Sequence, residues 1–184
     1  MKKEIEAEMA VSPRDRIYST IVQNPGLHFR EIQRRVGYAT GAMQYHIDYL
    51  KKKNFVYEKK EGKFSRFYAH AGEKVDPTLM SLLRQEQVRK IVLFLLNKRR
   101  ATIQIITKEV GLSTSTINFH LKKLVDSGVV VEQKSSGKTF FGILNKEPIM
   151  EMLIVYRKSF LDVLVDNFVN LWEKDLAEEF GKKK

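Results

Sequence analysis

The chain repeats itself, and that limits its fold more than any other feature. Sliding the sequence by 74 positions places Ile17 on Ile91, Ile32 on Ile106, and Val36-Gly37 on Val110-Gly111. His46 then falls on His120, Leu50 on Leu124 and Val56 on Val130. Glu58, Lys60 and Phe67 meet Glu132, Lys134 and Phe141 without a gap. Similar residues coincide as well: Phe29 with Ile103, Met43 with Ile117, Gln44 with Asn118, Tyr45 with Phe119. A solenoid needs three or more repeats to bury its faces, so two copies of about 60 residues read as two small tandem domains.

Each copy carries the same local signals. Ser12-Pro13-Arg14-Asp15 opens a helix, with Ser12 as cap, Pro13 in the first turn and Asp15 completing a capping box. Ile17, Ile21 and Val22 give it an inward stripe, and Asn24-Pro25-Gly26 stops it. Leu27-His28-Phe29 suits a short strand. A second helix over 30–36 ends at Gly37, a residue that readily takes the left-handed conformation. A third runs from about Thr40 to Lys53 on the stripe Met43, Ile47 and Leu50, with His46 beside it. Two strands, 55–57 and 64–68, flank a Glu61-Gly62-Lys63 turn. The second copy predicts helices over 85–97, 104–110 and 114–127, a short strand at Thr102-Ile103, and a hairpin of 129–134 with 139–143. Gly111 and Gly128 are its helix stops. The fold class expected is mainly α with small β-hairpin wings. It comprises two tandem winged helix-turn-helix domains plus a long C-terminal helix. The boundaries are an N-terminal extension 1–11, a first winged helix 12–71, a linker with a short helix 72–84 and a second winged helix 85–146. A packing or dimerisation helix 147–181 and a basic tail 182–184 follow.

Pro25-Gly26-Leu27-His28-Phe29-Arg30-Glu31-Ile32, followed by Gly41-Ala42-Met43-Gln44-Tyr45-His46, resembles archaeal winged-helix transcriptional regulators of the ArsR- and MarR-like superfamily. The run from Ser113 to Leu121, with Leu124 and Gly128-Val129-Val130, is similar to the ArsR-like recognition-helix pattern. The resemblance covers residues 12–145. It implies sequence-specific binding of double-stranded DNA, usually by a dimer. One departure matters: the chain has no cysteine, so the thiol-ligated metal sensing of many such regulators is not carried over. The same absence excludes disulfide scaffolds and cysteine nucleophiles.

Charge sharpens the expectation about partners. Residues 1–75 hold 15 basic and 9 acidic side chains, residues 76–146 hold 12 and 5, and residues 147–184 hold 6 and 8. The net +11 therefore belongs to the repeats, which suits a polyanion. The longest apolar run, Ile91 to Leu96, is far short of the ~20 residues of a membrane span. No signal-peptide pattern opens the chain. The localisation expected is cytoplasmic and nucleoid-associated, with no membrane partner.

In a helix-turn-helix, the outward face of the second helix of the motif enters the major groove. On the helical wheel of the second copy, Ile117, Leu121, Leu124 and His120 share one side, with Ser115, Phe119 and Lys122 opposite and Asn118 on the flank. Asn118 suits a bidentate pair with adenine, and Lys122 suits guanine or phosphate. Ser113, Thr114 and Ser115 sit at the positive helix end. The first copy presents Thr40, Gly41, Gln44, Tyr45 and Asp48 there. Asp48 repels phosphate where Lys122 attracts it, so the second copy is expected to contact the groove more strongly. Tyr45 and Phe119 can pack on sugar or a thymine methyl, or equally against the other domain. Lys63 and Arg66 in the first hairpin, and Lys134 and Lys138 in the second, suit backbone contact. Arg30 and Arg34 suit the backbone that the preceding helix crosses.

The polar faces also fit plain solvation. His46 and His120 read more readily as hydrogen-bonded structural histidines than as metal ligands. No catalytic motif is visible, and neither enzyme activity nor a cofactor or metal is expected.

Asp76-Pro77 starts a helix over 78–84, expected to run on into the next. Residues 149–180, which follow Pro148, lack proline and glycine, and the segment would span about 50 Å if unbroken. Leu153, Tyr156, Phe160, Leu164, Phe168 and Leu171 make one apolar stripe. Ile154, Leu161, Val165 and Trp172 make another. Two stripes must both be buried, one on the chain's own winged helix and one on a partner subunit. The expectation is a DNA-binding, homodimeric transcriptional regulator that blocks or recruits transcription machinery. The alternative is a tandem winged-helix scaffold for protein interactions in a transcription or chromosome-associated complex.

Overall fold

The computed structural model describes residues 12–61, 64–71 and 75–181, the last seven for their backbone. The N-terminal extension, Lys63 and the basic tail lie outside the described residues. The chain divides into two units, Met1–Pro77 and Thr78–Lys184.

The first unit runs α1 (Pro13–Gln23), β1 (Leu27–His28), α2 (Phe29–Val36), α3 (Thr40–Lys52), β2 (Val56–Glu61) and β3 (Phe64–Ala69). Ser12 caps α1 by accepting from the Asp15 N–H at 3.2 Å, which satisfies one of the donors a helix start leaves orphaned. α2 begins one residue earlier than its pattern suggested. The Glu31 carboxylate reaches back to the His28 N–H at 2.7 Å, so Phe29 is already helical and β1 is only two residues. β1 and β2 flank β3, both antiparallel, with Leu27 opposite Phe67 and Val56 opposite Ala69. The core gathers Ile17, Ile21, Leu27, Ile32, Val36, Met43, Ile47, Leu50, Val56 and Phe67.

The second unit adds α4 (Pro77–Arg84, whose proline closes the first unit) and then repeats the plan. α5 (Glu86–Asn97), α6 (Ile103–Val110), α7 (Thr114–Asp126), β4 (Val130–Ser135) and β5 (Lys138–Ile143) follow. From α6 to β5 every boundary equals that of the first unit plus 74. The third strand shrinks to one bridge, Ala101 to Phe141, at the repeat position of Leu27 and Phe67. Every core residue of the first unit has a buried counterpart here except Val36 and Phe67, whose counterparts Val110 and Phe141 are half-buried. The recognition-type helices also end alike. Asn54 (φ 59) and Gly128 (φ 71) are both left-handed, and the next N–H closes on the carbonyl of Leu50 or Leu124 at 2.9 and 3.0 Å. Asparagine is the residue that best substitutes for glycine in this cap.

Two joints differ from the sequence pattern. Gln85 is extended (φ −83, ψ 113), so α4 stops before α5 and the two helices are not continuous. The C-terminal segment is not one rod but α8 (Glu147–Val155), a single turn α9 (Arg157–Phe160) and the C-terminal helix α10 (Val163–Gly181). Leu161 sits between the last two in the left-handed region (φ 52), a conformation costing about 1–3 kcal/mol for a non-glycine residue. Asp162 accounts for it: one carboxylate oxygen caps α10 through the Leu164 N–H at 2.9 Å, and the other binds Arg89. α10 packs on α5 and α8.

Candidate nucleic-acid interface

The buried stripe of α7 fixes what the helix shows to solvent. Ile117, Leu121 and Leu124 are at most 1% exposed, so Ser113, Thr114, Ser115, Asn118, Phe119 and Lys122 all stand outward. Phe119 is 67% exposed, its ring edge-on to His120 at 5.2 Å. Ser113 caps the helix through the Thr116 N–H at 3.2 Å, and its hydroxyl also meets those of Ser115 and Thr116 at 3.0 and 2.8 Å. Lys134 and Lys138 are exposed on the hairpin, which turns through Ser136 and Gly137, both at positive φ. No hydrogen bond or ion pair within the described residues occupies the side chain of Asn118 or Lys122.

His120 is buried behind this face. Its Nε2 lies 2.8 Å from the Gln87 carboxamide oxygen. Burial, and secondarily the Lys123 charge, holds its pKa below the usual 6.5. The first unit has Pro13 where the second has Gln87, and the Nδ1 atoms of His46 and His120 are both buried without a hydrogen bond. His46 instead meets the rings of Tyr38 and Tyr45.

The outward face of α3 is differently equipped. Thr40, Gly41, Gln44, Tyr45 and Asp48 are exposed, and a Cβ at Gly41 would meet nothing within 4 Å. Yet the polar groups are engaged among themselves. Gln44 donates to Asp48 at 2.9 Å, and Thr40 accepts from Gln33 at 3.0 Å. The Arg14 guanidinium donates to the Tyr45 hydroxyl at 3.3 Å and lies 3.9 Å from the centre of the Tyr49 ring. Arg14 has no signal in the linear sequence, because its partners lie on another helix.

Arg30 and Arg34 are exposed on α2. Arg66, expected at the wing for phosphate, is instead buried at 7% exposure. It donates to the Gly26 carbonyl at 2.6 Å and to Glu61 at 3.2 Å, so it ties β3 to the turn before β1. An arginine on a strand next to a hairpin tip looks the same in sequence whether it points out or in.

The residues expected to form an assembly face separate into three groups. Leu153 (0% exposed) and Phe160 (8%) are buried within the chain, so they are already used inside it. Leu161 (78%), Leu164 (46%) and Leu171 (62%) are exposed, and Tyr156, Phe168 and Trp172 are half-buried. Among the described residues no group of three or more histidine or acidic side chains is placed to hold a metal. No described helix is long and apolar enough to cross a membrane.

Comparison with known proteins agrees with this arrangement. Residues 11–78 match a family model described as an N-terminal HTH domain. Residues 84–131 match one described as winged helix-turn-helix DNA-binding. A relative is the uncharacterized HTH-type transcriptional regulator MJ1398 of Methanocaldococcus jannaschii, 29% identical over 130 residues. The match covers 71% of this chain and 33% of that protein, so the chain spans about a third of its relative's length. Solved structures that align with part of the chain include HlyU from Vibrio cholerae, with 21% identity and a TM-score of 0.39 over 44% of this chain and 86% of that one. A possible transcriptional regulator from Methanosarcina mazei aligns at 16% identity and a TM-score of 0.32, over 68% and 96% of the two chains. The two family matches fall on the two copies of one helix-turn-helix plan with a hairpin wing, so the chain carries two tandem helix-turn-helix domains, the second matching the winged helix-turn-helix model, and it is similar to an archaeal HTH-type transcriptional regulator.

Proposed function

We propose that the chain is a homodimeric transcriptional regulator that reads the major groove of double-stranded DNA, principally through α7. One observation carries this reading. The exposed face of α7 offers Asn118 and Lys122 free of internal partners, beside a helix end lined by Ser113, Thr114 and Ser115. A free carboxamide matches the two hydrogen-bonding positions of an adenine edge, and a free ammonium matches guanine or phosphate. Lys134 and Lys138 on the hairpin, and Arg30 and Arg34 on α2, supply sequence-independent phosphate contacts. Leu161, Leu164 and Leu171 supply an apolar face for the second subunit, on a segment of opposite net charge to the repeats. Gel-shift titration on duplex DNA across a salt series tests it. Affinity should fall steeply as salt rises, because each neutralised phosphate releases a counterion. A flat salt dependence, or no duplex binding at low salt, would sink the reading.

The first unit favours a second role beside the first. With Gln44 held by Asp48 and Tyr45 under Arg14, α3 offers few free donors to a base edge and presents a carboxylate to phosphate. This face suits a protein surface of the transcription machinery better than a groove. A footprint that shrinks only on mutation of the second unit supports that division of labour.

A further inference from the structure

Both units carry the same groove, and in the first its carboxylate is paired from within. In each, the opening turn of the second helix, one side chain of the following helix (Gln44 or Asn118) and the hairpin enclose an open trough. Its volume is about 740 Å³ in the first unit and 890 Å³ in the second. In the first, the Lys51 ammonium lies in the groove on the Glu58 carboxylate. Lys51, and then the Ser65 hydroxyl, hold the Glu58 carboxyl below its usual range. The His28 ring bonds the Ser65 carbonyl at 2.9 Å.

The second groove keeps the acid and loses the base. Glu132 stands where Glu58 stands and Thr139 where Ser65 does, but position 125 is valine where the first unit has Lys51. The side chains of Glu132, Asn118 and Thr139 have no hydrogen-bonding or ion-pair partner among the described residues. Ile105 and Phe141 give the trough apolar wall. Lys138 also lines it, but it pairs with Ser135 while Glu132 pairs with Phe141. That puts it three rungs, roughly 10 Å, along the hairpin and on alternate pleats. Lys134 neighbours Glu132 as Lys60 neighbours Glu58, and Lys60 does not prevent Lys51 from binding there.

We propose that the groove of the second unit binds a primary ammonium ion carried on an apolar stem. Its ammonium takes the place on Glu132 that the Lys51 ammonium takes on Glu58, and its stem lies against Ile105 and Phe141. The lysine side chain of the first unit is itself an alkylammonium, so the molecule displays the bound geometry in its own other half. Asn118 forms one wall, so an occupied groove covers the side chain assigned to base reading. That consequence rests on the DNA-binding reading; the site itself does not.

The test is an amide NMR titration of the full chain, without DNA, using 2-phenylethylamine at millimolar concentration and 2-phenylethanol as its uncharged counterpart. The amine should shift the signals of Ile105, Asn118, Glu132 and Phe141, and the alcohol should bind at least about tenfold more weakly, since a charge-assisted contact is lost. Glu132→Gln should weaken the amine by about the same factor. Val125→Lys, which restores the internal ammonium, should abolish binding. Absence of shifts at these residues, equal binding of the alcohol, or unchanged binding by Glu132→Gln overturns the proposal. With no DNA present, such a failure leaves the DNA reading standing, and loss of DNA binding elsewhere leaves this result untouched.

Discussion

Arg89 and Asp162, 73 positions apart, form a buried ion pair that determines where the C-terminal segment bends. Arg89 Nε donates to Asp162 Oδ2 at 2.6 Å, and the two side chains are 7% and 11% exposed. The guanidinium also donates to the Leu83 carbonyl at 2.7 Å, so both joints flanking α5 and α10 converge on one arginine. Nearby, Arg84 donates to the Ser159 carbonyl at 2.8 Å. Removing one partner of such a pair strands a buried charge, at a cost of about 3–5 kcal/mol. Asp162→Ala should therefore lower the urea midpoint of the second unit sharply, and the paired change Arg89→Met with Asp162→Leu should recover most of the loss. If the double variant is no more stable than Asp162→Ala alone, the pair is not what holds the bend.

This joint also shows where the sequence stops being legible. Within each repeat the three helices and the hairpin were foreshadowed by period, cap and glycine, because helix stripes and turn residues act over a few positions; the strand expected at Thr102-Ile103 is not formed, since Ile103 is already helical and a single bridge falls on Ala101 instead. The registers of the two hairpins follow, since a slip of one residue would turn Val56 or Val130 out of the core. The break at Leu161 carries neither proline nor glycine. It exists because Arg89 waits 73 residues away, and no local signal reports that. Arg66 failed for the same reason, its acceptors being the Gly26 carbonyl and Glu61. On α7 the outward set was readable, because a three-residue buried stripe leaves only one face. On α3 the same wheel gave the right exposure but not the Arg14, Tyr45 and Tyr49 cluster that crosses between helices.

Asn118 and Lys122 should separate specificity from affinity. Asn118→Ala should cost about 1–3 kcal/mol on the specific site and little on random duplex, since a base contact discriminates. Lys122→Ala should weaken both and, if its partner is phosphate, reduce the salt slope by about one. Competition binding with specific and random duplex, repeated across salt, reads both numbers. Equal loss on the two duplexes for Asn118→Ala would remove it from base reading.

His120 makes stability fall on mild acidification. Burial, with the Lys123 charge, lowers its folded pKa below the usual 6.5, so the unfolded chain binds a proton more readily than the folded one. Stability then rises with pH across the interval between the two values. It is complete above the unfolded value near 6.5 and is lost as pH falls toward the folded one. His120→Gln removes the titration, so its stability should be flatter through this window. Denaturant midpoints of both proteins between the unfolded pKa and mild acid check it, and parallel curves would assign the slope to other groups.

Leu164 and Leu171 test the proposed assembly face, because they are exposed and lie one heptad apart on α10. Aspartate at both positions leaves the buried Val165 and Val169 (each 0% exposed) in place, so the helix keeps its packing on α5. An apolar face covered by a second subunit loses association when charge is placed in it, since a buried unpaired carboxylate is strongly disfavoured. Sedimentation velocity should then move from dimer to monomer, while thermal stability measured at low protein concentration stays close to that of the parent. The monomer should also bind a two-half-site operator more weakly, because linked sites gain from effective concentration. An unchanged sedimentation coefficient would place the subunit contact elsewhere, and a parent that is itself monomeric would remove the homodimer from the proposed function.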